Sequence, residues 1–194
     1  MRKPHFVLAI LALTSLLIGC ASNAATQSNE AILTSAPEKV QSTASLEVMS
    51  KDPPTDCPIT VPPKSQFIPP LKPHLPQAPF QNEFWFGTNH LWTSLPANGV
   101  WLGLPKNSEG YTQKIFWWSD LFSLDDEPEP ALVVSGQRLD AEAPPFNISK
   151  ATNAFAGDIG WAMLTGVDFP TLGCWQITGQ YKKSEFSFVV WVAP

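Results

Sequence analysis

The chain has 194 residues, a formal net charge of −5 and 15% charged residues, against 44% hydrophobic residues, 20 prolines and eight tryptophans. The phosphates of nucleic acid require a basic stripe or patch, so an acidic chain with scattered Lys and Arg residues is not expected to bind nucleic acid. From residue 81 onward about 114 residues remain, which is enough for one hydrophobic core and not for two.

The first 19 residues have the layout of an export signal: Arg2 and Lys3 precede an apolar run of 13 residues, 6–18. This run is shorter than the roughly 20 apolar residues that cross a bilayer. The next segment, "LIGC" at 17–20, resembles the lipobox of bacterial lipoproteins. The resemblance implies a diacylglycerol on Cys20, cleavage before Cys20 and an acylated new amino terminus. The alternative is an ordinary signal peptide that ends near a cysteine.

A lipid on Cys20 would make a membrane a binding partner of the protein. It would place the protein outside the cytoplasm, on the cell membrane or the outer membrane. Each buried methylene contributes about 0.8 kcal/mol, so two or three acyl chains hold a protein firmly. Loss of Arg2 and Lys3 with the signal changes the formal charge from −5 to −7.

Two segments of different composition follow. Residues 20–52 are rich in small and polar residues, lack aromatic residues and predict a flexible tether. Residues 53–80 carry ten prolines and predict an extended, stiffer segment, partly packed on the domain. This segment is interpreted as a spacer; its Pro-Pro pairs leave a docking role in an aromatic groove as the alternative.

Residues 81–194 predict an all-β fold, an immunoglobulin-like sandwich of about seven short strands, because apolar runs alternate with turn signals and no helical period is sustained. Asn98-Gly99 predicts a hairpin within 89–104. Lys182-Lys183 predicts a second hairpin, in which Phe186, Phe188 and Val190 share the core face. The other predicted strands are 114–118, 131–139, 146–149 and 161–167.

A resemblance rests on the segments "GQRLDAEAPPF" at 136–146 and "FPTLGCWQITGQY" at 169–181, with the last strand "FVVWV" at 188–192. Together with the predicted hairpin, "KIFWW" and "DIGWAML", they are similar to a family of uncharacterised secreted bacterial proteins and lipoproteins that carry a C-terminal immunoglobulin-like domain. The resemblance covers roughly residues 84–192. It implies the fold and the location, and supplies no catalytic residues.

The sequence offers little for catalysis. A Ser or Cys nucleophile needs a base, and outside the signal the histidines are only His74 and His90. These two with a cysteine lack the spacing of a metal site, so no metal, cofactor or catalytic residue is predicted. Two groups of carboxylates are candidates for chemistry: an acid and base among Asp120, Asp158 and Asp168, and a calcium site at Asp125, Asp126, Glu127 and Glu129. Turn formation and a solvated loop are the interpretations favoured for them.

Eight tryptophans exceed what one core of this size needs, so Trp92, Trp101 and Trp191 are predicted to form an exposed patch. Such a patch would bind an envelope protein, a sugar ring or the N-terminal segment of the domain itself. Burial under loops and the Pro-rich segment is the alternative. The predicted function is therefore a non-enzymatic interaction or structural module of the cell envelope, with a carbohydrate-binding module or an unrecognised carboxylate enzyme as alternatives.

With Cys20 assigned to lipid, Cys57 and Cys174 remain as an even pair in an oxidising compartment, and a disulfide is predicted. Alternation places Trp175 and Ile177 toward the core and Cys174 on the opposite face. The bond would then be an external clip rather than the intersheet disulfide of antibody domains. Two free thiols are the alternative.

Overall fold

The computed structural model describes residues 50–70, 78, 80–156 and 160–194. The predictions for the signal, Cys20, His74 and Asp158 therefore lie outside the described residues. The regular structure of the described part consists of ten strands and contains no helix. Accordingly, that part holds no helix with the length and apolar character needed to span a membrane.

The ten strands form two sheets of five. In the order of pairing, the first sheet contains β1 (Glu83–Gly87), β2 (Trp92–Pro96), β4 (Tyr111–Trp118), β8 (Gly160–Phe169) and β7 (Thr152–Ala156). The second contains β3 (Val100–Leu102), β10 (Ser184–Ala193), β9 (Gly173–Tyr181), β5 (Val133–Arg138) and β6 (Phe146–Ile148). Neighbouring strands are antiparallel except β3 and β10, which are parallel.

This arrangement confirms the predicted immunoglobulin-like sandwich. Strands β2-β4-β8-β7 have the order A-B-E-D of the immunoglobulin fold, and β10-β9-β5 have the order G-F-C. Strands β1, β3 and β6 are additions at the sheet edges. The prediction included β3 and β6 but missed β1 and β7. Strand β7 falls within residues 150–160, where Asn153, Gly157 and Gly160 favour a loop in the sequence.

The core lies between the two sheets and follows the strand alternation. Trp117 of β4 is fully buried, and its indole ring packs on β9 where Gly179 leaves room for it, since a Cβ at Gly179 would clash with that ring. The indole Nε1–H donates a hydrogen bond of 3.1 Å to Thr165 Oγ1. Trp117 thus fills the space between the sheets. Phe188, Val190 and their neighbours on β10 point into the same core, as predicted.

The predicted hairpin at Asn98-Gly99 is wrong. A type I′ turn requires positive φ at both central residues, but only Gly99 has it, at 67°. The turn closes by a hydrogen bond from Gly99 N–H to Pro96 O, and Val100 N–H then bonds to Asn98 Oδ1. The chain therefore leaves β2 in the first sheet and enters β3 in the second.

Residues 50–70, called the strap below, lie across the outer face of the second sheet at their N-terminal end. The Cys57–Cys174 disulfide is present, and Cys174 is buried on the outer face of β9, which confirms the predicted pairing and face. Thr60 N–H donates to Val189 O, and Val189 N–H donates to Thr60 Oγ1. Since Ser50 O accepts a hydrogen bond from the Trp191 indole, contact with the domain begins before the predicted tether boundary at residue 52.

Further along, the strap reaches the outer face of the first sheet. There the Phe67 ring lies 6.5 Å from the ring of Trp92, between centroids. Trp92 belongs to an outer cluster with Trp85, Trp118 and Ala162. The strap therefore covers apolar side chains on the outer faces of both sheets.

We expect the Cys57→Ala/Cys174→Ala double variant to lose about 2 to 4 kcal/mol of the free energy of unfolding, because the bond closes a loop that spans 117 residues. Urea unfolding of the wild type and the variant, each with and without reductant, measures this loss. The reduced wild type should unfold like the variant. A variant as stable as the oxidised wild type would contradict the prediction.

Candidate functional site

The predicted tryptophan patch is wrong. Trp92 is 0% exposed, Trp101 is 7% exposed and Trp191 is 4% exposed. Trp101 lies between the sheets, with its ring centroid 5.7 Å from that of Phe169 and 6.3 Å from that of Phe188. Trp92 and Trp191 point outward but are covered by the strap, so the alternative that the Pro-rich segment hides tryptophans is correct for these two.

Asp120 and Asp168 do not form an acid and base pair. Asp168 Oδ1 accepts hydrogen bonds from Thr112 Oγ1 at 2.6 Å and from Asn107 Nδ2 at 2.8 Å. Asp120 lies 2.9 Å from His90 Nδ1, just beyond the other end of β4. At about 3.3 Å per residue, the eight positions from Thr112 to Asp120 separate the two carboxylates by roughly 26 Å. Over the described ranges, His, Cys, Asp and Glu form no group suited to a metal ion.

The acidic loop, residues 123–130 between β4 and β5, is held by Glu127. The carboxylate of Glu127 accepts hydrogen bonds from the Tyr181 hydroxyl and, at 2.6 Å, from Ala131 N–H, and lies 3.7 Å from Lys182 Nζ. Burial opposes ionisation of Glu127, but these contacts outweigh it and lower its pKa. Burial and the Glu127 contact raise the pKa of Tyr181. Glu127 is thus a structural link of this loop.

An uncharged groove of about 380 Å³ runs along the outer faces of β5, β6 and β9. Gln137 Nε2 donates a hydrogen bond of 2.8 Å to Gln176 Oε1, and the hydroxyls of Thr178 and Ser187 are 2.7 Å apart beside it. The lining side chains carry amide, hydroxyl or apolar groups: Ser135, Gly136, Gln137, Pro145, Phe146, Asn147, Gln176 and Thr178.

The groove adjoins a wider hollow of about 690 Å³, and the two share Gln137 and Pro145. Arg138 and residues 141–145 form the rest of the hollow. Most of both linings comes from the stretch 135–147, which contains the segment "GQRLDAEAPPF". This stretch therefore lines both the groove and the adjoining hollow.

The two segments that carry the sequence resemblance meet at the end of the groove. The Arg138 guanidinium donates from Nε to Asp140 Oδ1 at 2.7 Å and from Nη2 to Asp140 Oδ2 at 3.2 Å, and from Nη1 to Thr171 Oγ1 at 3.1 Å. Cys174 N–H donates to Asp140 Oδ1 at 3.0 Å. Gly173 has a φ of 143°, and a Cβ there would lie 2.5 Å from Arg138 Nε, so this position requires glycine.

Asp140 is the electrostatic centre of this junction. Its side chain is 17% exposed, and burial by itself opposes ionisation. The hydrogen bonds from Arg138 and from Cys174 N–H outweigh burial and lower the pKa of Asp140. Because the junction bonds to the backbone of Cys174, it fixes the loop between β5 and β6 against the strand that carries the disulfide.

Local structure explains why the groove is open. Phe146 turns inward over Gly136, where a Cβ would clash with its ring, and packs 5.7 Å from Trp175 between centroids. Its backbone and Asn147 then form one wall of the groove. The strap contacts β9 and β10 at Cys174, Val189 and Trp191, and the polar side chains of Gln176 and Thr178 line the open surface.

This surface is not among the sites predicted from the sequence. The available signal was the alternation of Gln176, Thr178 and Gln180 on the non-core face of β9, opposite Trp175 and Ile177. Alternation identifies a polar face, but the groove also depends on β5 and β6, which are distant in the chain.

Comparisons of this chain with protein-family models, with curated proteins and with solved structures found no match. The resemblance to secreted bacterial lipoproteins therefore stays a prediction from the sequence.

We expect Asp140→Asn to lower the free energy of unfolding by about 1.5 to 3 kcal/mol at pH 7, because it weakens hydrogen bonds to a charged group. The folded state holds the pKa of Asp140 below its ordinary value. The ionised carboxylate therefore contributes its full stabilisation at a pH above the ordinary pKa, and this stabilisation is lost as the pH falls through the lower pKa of the folded state. Urea unfolding from pH 7 to pH 3 should show that the difference in free energy of unfolding between the wild type and Asp140→Asn shrinks below about pH 4. Asp126→Asn, at an exposed position, should match the wild type, and an equal effect of both variants would contradict the prediction.

Proposed function

We propose that the chain is an exported lipoprotein, anchored to the cell membrane or the outer membrane through Cys20, that displays a non-enzymatic interaction module in the envelope. The signal-like residues 1–19 and the "LIGC" segment support export and lipid attachment. The Cys57–Cys174 disulfide also supports export, since such bonds persist in oxidising compartments and are rare in the cytosol.

The uncharged groove is the observation that supports an interaction role. The lining of the groove is neutral, whereas the adjoining hollow includes the charged residues Arg138 and Glu142. The core of a protein interface is likewise depleted of charged residues, which are costly to desolvate. A neutral groove on an acidic protein is thus suited to an uncharged segment of an envelope partner.

A glycan is the second candidate ligand for the same groove. The amides of Gln137, Gln176 and Asn147 and the hydroxyl of Thr178 offer both donors and acceptors, which match the hydroxyl groups of a sugar. The predicted platform of Trp92, Trp101 and Trp191 is buried, so glycan binding would rely on hydrogen bonds rather than on those rings.

Lipid attachment is tested by growth with radiolabelled palmitate. We expect label on the wild type and none on Cys20→Ser, because the Cys20 thiol would carry the diacylglycerol and its removal would prevent processing. Cys57→Ser is the matched control, which removes a different cysteine and should keep the label. Label that persists on Cys20→Ser would contradict lipid attachment there.

The groove is tested by adding charge to it. We expect Gln137→Arg/Gln176→Arg to abolish partner capture, because two cations in the neutral groove would be costly to desolvate. Crosslinking in intact envelopes and binding to a glycan array measure the two candidate ligands separately. Gln66→Arg/Gln81→Arg makes the same change at exposed positions outside the groove and should bind like the wild type. The proposed site would be contradicted if the groove variant formed the same crosslinks and bound the same glycans as the wild type.

A further inference from the structure

An exposed aromatic pair lies on the hairpin of β7 and β8. Phe155 is 60% exposed and Trp161 is 47% exposed, whereas the other seven tryptophans, all in the described residues, are at most 7% exposed. The two residues are directly opposite each other in the β-sheet register, and their ring centroids are 5.0 Å apart. They form a compact, exposed apolar surface.

The aromatic pair lies beside the acidic loop. Asn153, two residues before Phe155 on β7 and therefore on the same face, donates a hydrogen bond of 2.9 Å from Nδ2 to Pro128 O of that loop. Asp125, Asp126 and Glu129 of the loop are exposed, and within the described part of the chain none of them forms an ion pair with Lys or Arg. Apolar rings and carboxylates thus share one end of the sandwich.

The acidic loop is held in place before any partner binds. Glu127 joins it to Tyr181, and Lys182 Nζ donates a hydrogen bond of 2.6 Å to Leu121 O at its base. A surface whose conformation is already fixed loses less entropy when a partner binds. This end of the sandwich corresponds to the loops that bind antigen in antibody variable domains, since it includes the turn between strands F and G.

We propose that the aromatic pair and the acidic loop together bind an arginine-containing segment of a partner protein. A guanidinium is weakly hydrated, stacks on aromatic rings and pairs with carboxylates, so its chemistry matches both parts of this surface. The lysine ammonium is more strongly hydrated and fits the rings less well. The exposed carboxylates oppose anionic lipid and nucleic acid, whose phosphates they repel. This surface shares no residue with the uncharged groove, so the proposal is independent of that site.

A fluorescein-labelled nonapeptide, three repeats of Gly-Arg-Leu, tests the proposal by fluorescence anisotropy with the mature protein. We expect the arginine peptide to bind, the lysine version to bind several-fold more weakly and the uncharged citrulline version not to bind. Phe155→Ser/Trp161→Ser and Asp125→Asn/Asp126→Asn/Glu129→Gln should each weaken binding about tenfold. Higher salt should weaken binding to the wild type by screening the carboxylates.

Matched controls separate this surface from general charge and general hydrophobicity. Leu102→Ser/Leu139→Ser removes two other exposed apolar side chains, and Asp52→Asn/Asp56→Asn/Glu109→Gln removes three carboxylates elsewhere; both should bind like the wild type. Circular dichroism confirms that each variant is folded. The proposal is overturned if the arginine peptide does not bind, if the control variants lose as much affinity, or if phosphatidylglycerol vesicles bind through Phe155 and Trp161 instead.

Discussion

The cross-link between Cys57 and Cys174 fixes a segment that has little means of holding itself in place. The hydrogen bonds within the strap join residues two or three positions apart, such as Cys57 N–H to Pro54 O and Ile59 N–H to Cys57 O, so the position of the strap depends on its contacts with the domain. The disulfide joins it to the outer face of β9, and reciprocal hydrogen bonds between Thr60 and Val189 extend this attachment. From there the strap buries Trp191 on one sheet and Trp92 on the other.

Coverage by the strap decides which surfaces of the sandwich face solvent. It occupies the outer faces where tryptophans would otherwise be exposed, and it leaves open the polar part of β5, β6 and β9. The aromatic pair at Phe155 and Trp161 lies at one end of the sandwich, beside an acidic loop. The two open surfaces differ in chemistry, one neutral and hydrogen-bonding and the other aromatic and acidic.

Hydrogen bonds to Asp140 link the disulfide to the groove. Its carboxylate receives the Arg138 guanidinium and the Cys174 N–H, so the loop that shapes the groove is joined to the strand that holds the strap. Glycine at 173 is favoured because its φ of 143° strains any other residue, and the guanidinium also occupies the space of a side chain there. The segments "GQRLD" and "LGC" are thus two halves of one contact, although more than thirty residues separate them.

Local patterns in the sequence determined the all-β class, the core face of β10 and the pairing and outer position of Cys174, because strand alternation and cysteine parity need no knowledge of distant contacts. Tertiary structure alone decided the exposure of Trp92, Trp101 and Trp191 and the path of the chain after Gly99. Side-chain burial and sheet membership depend on which remote segment packs against a strand. The groove likewise exists only because β5, β6 and β9, far apart in the chain, become neighbours in one sheet.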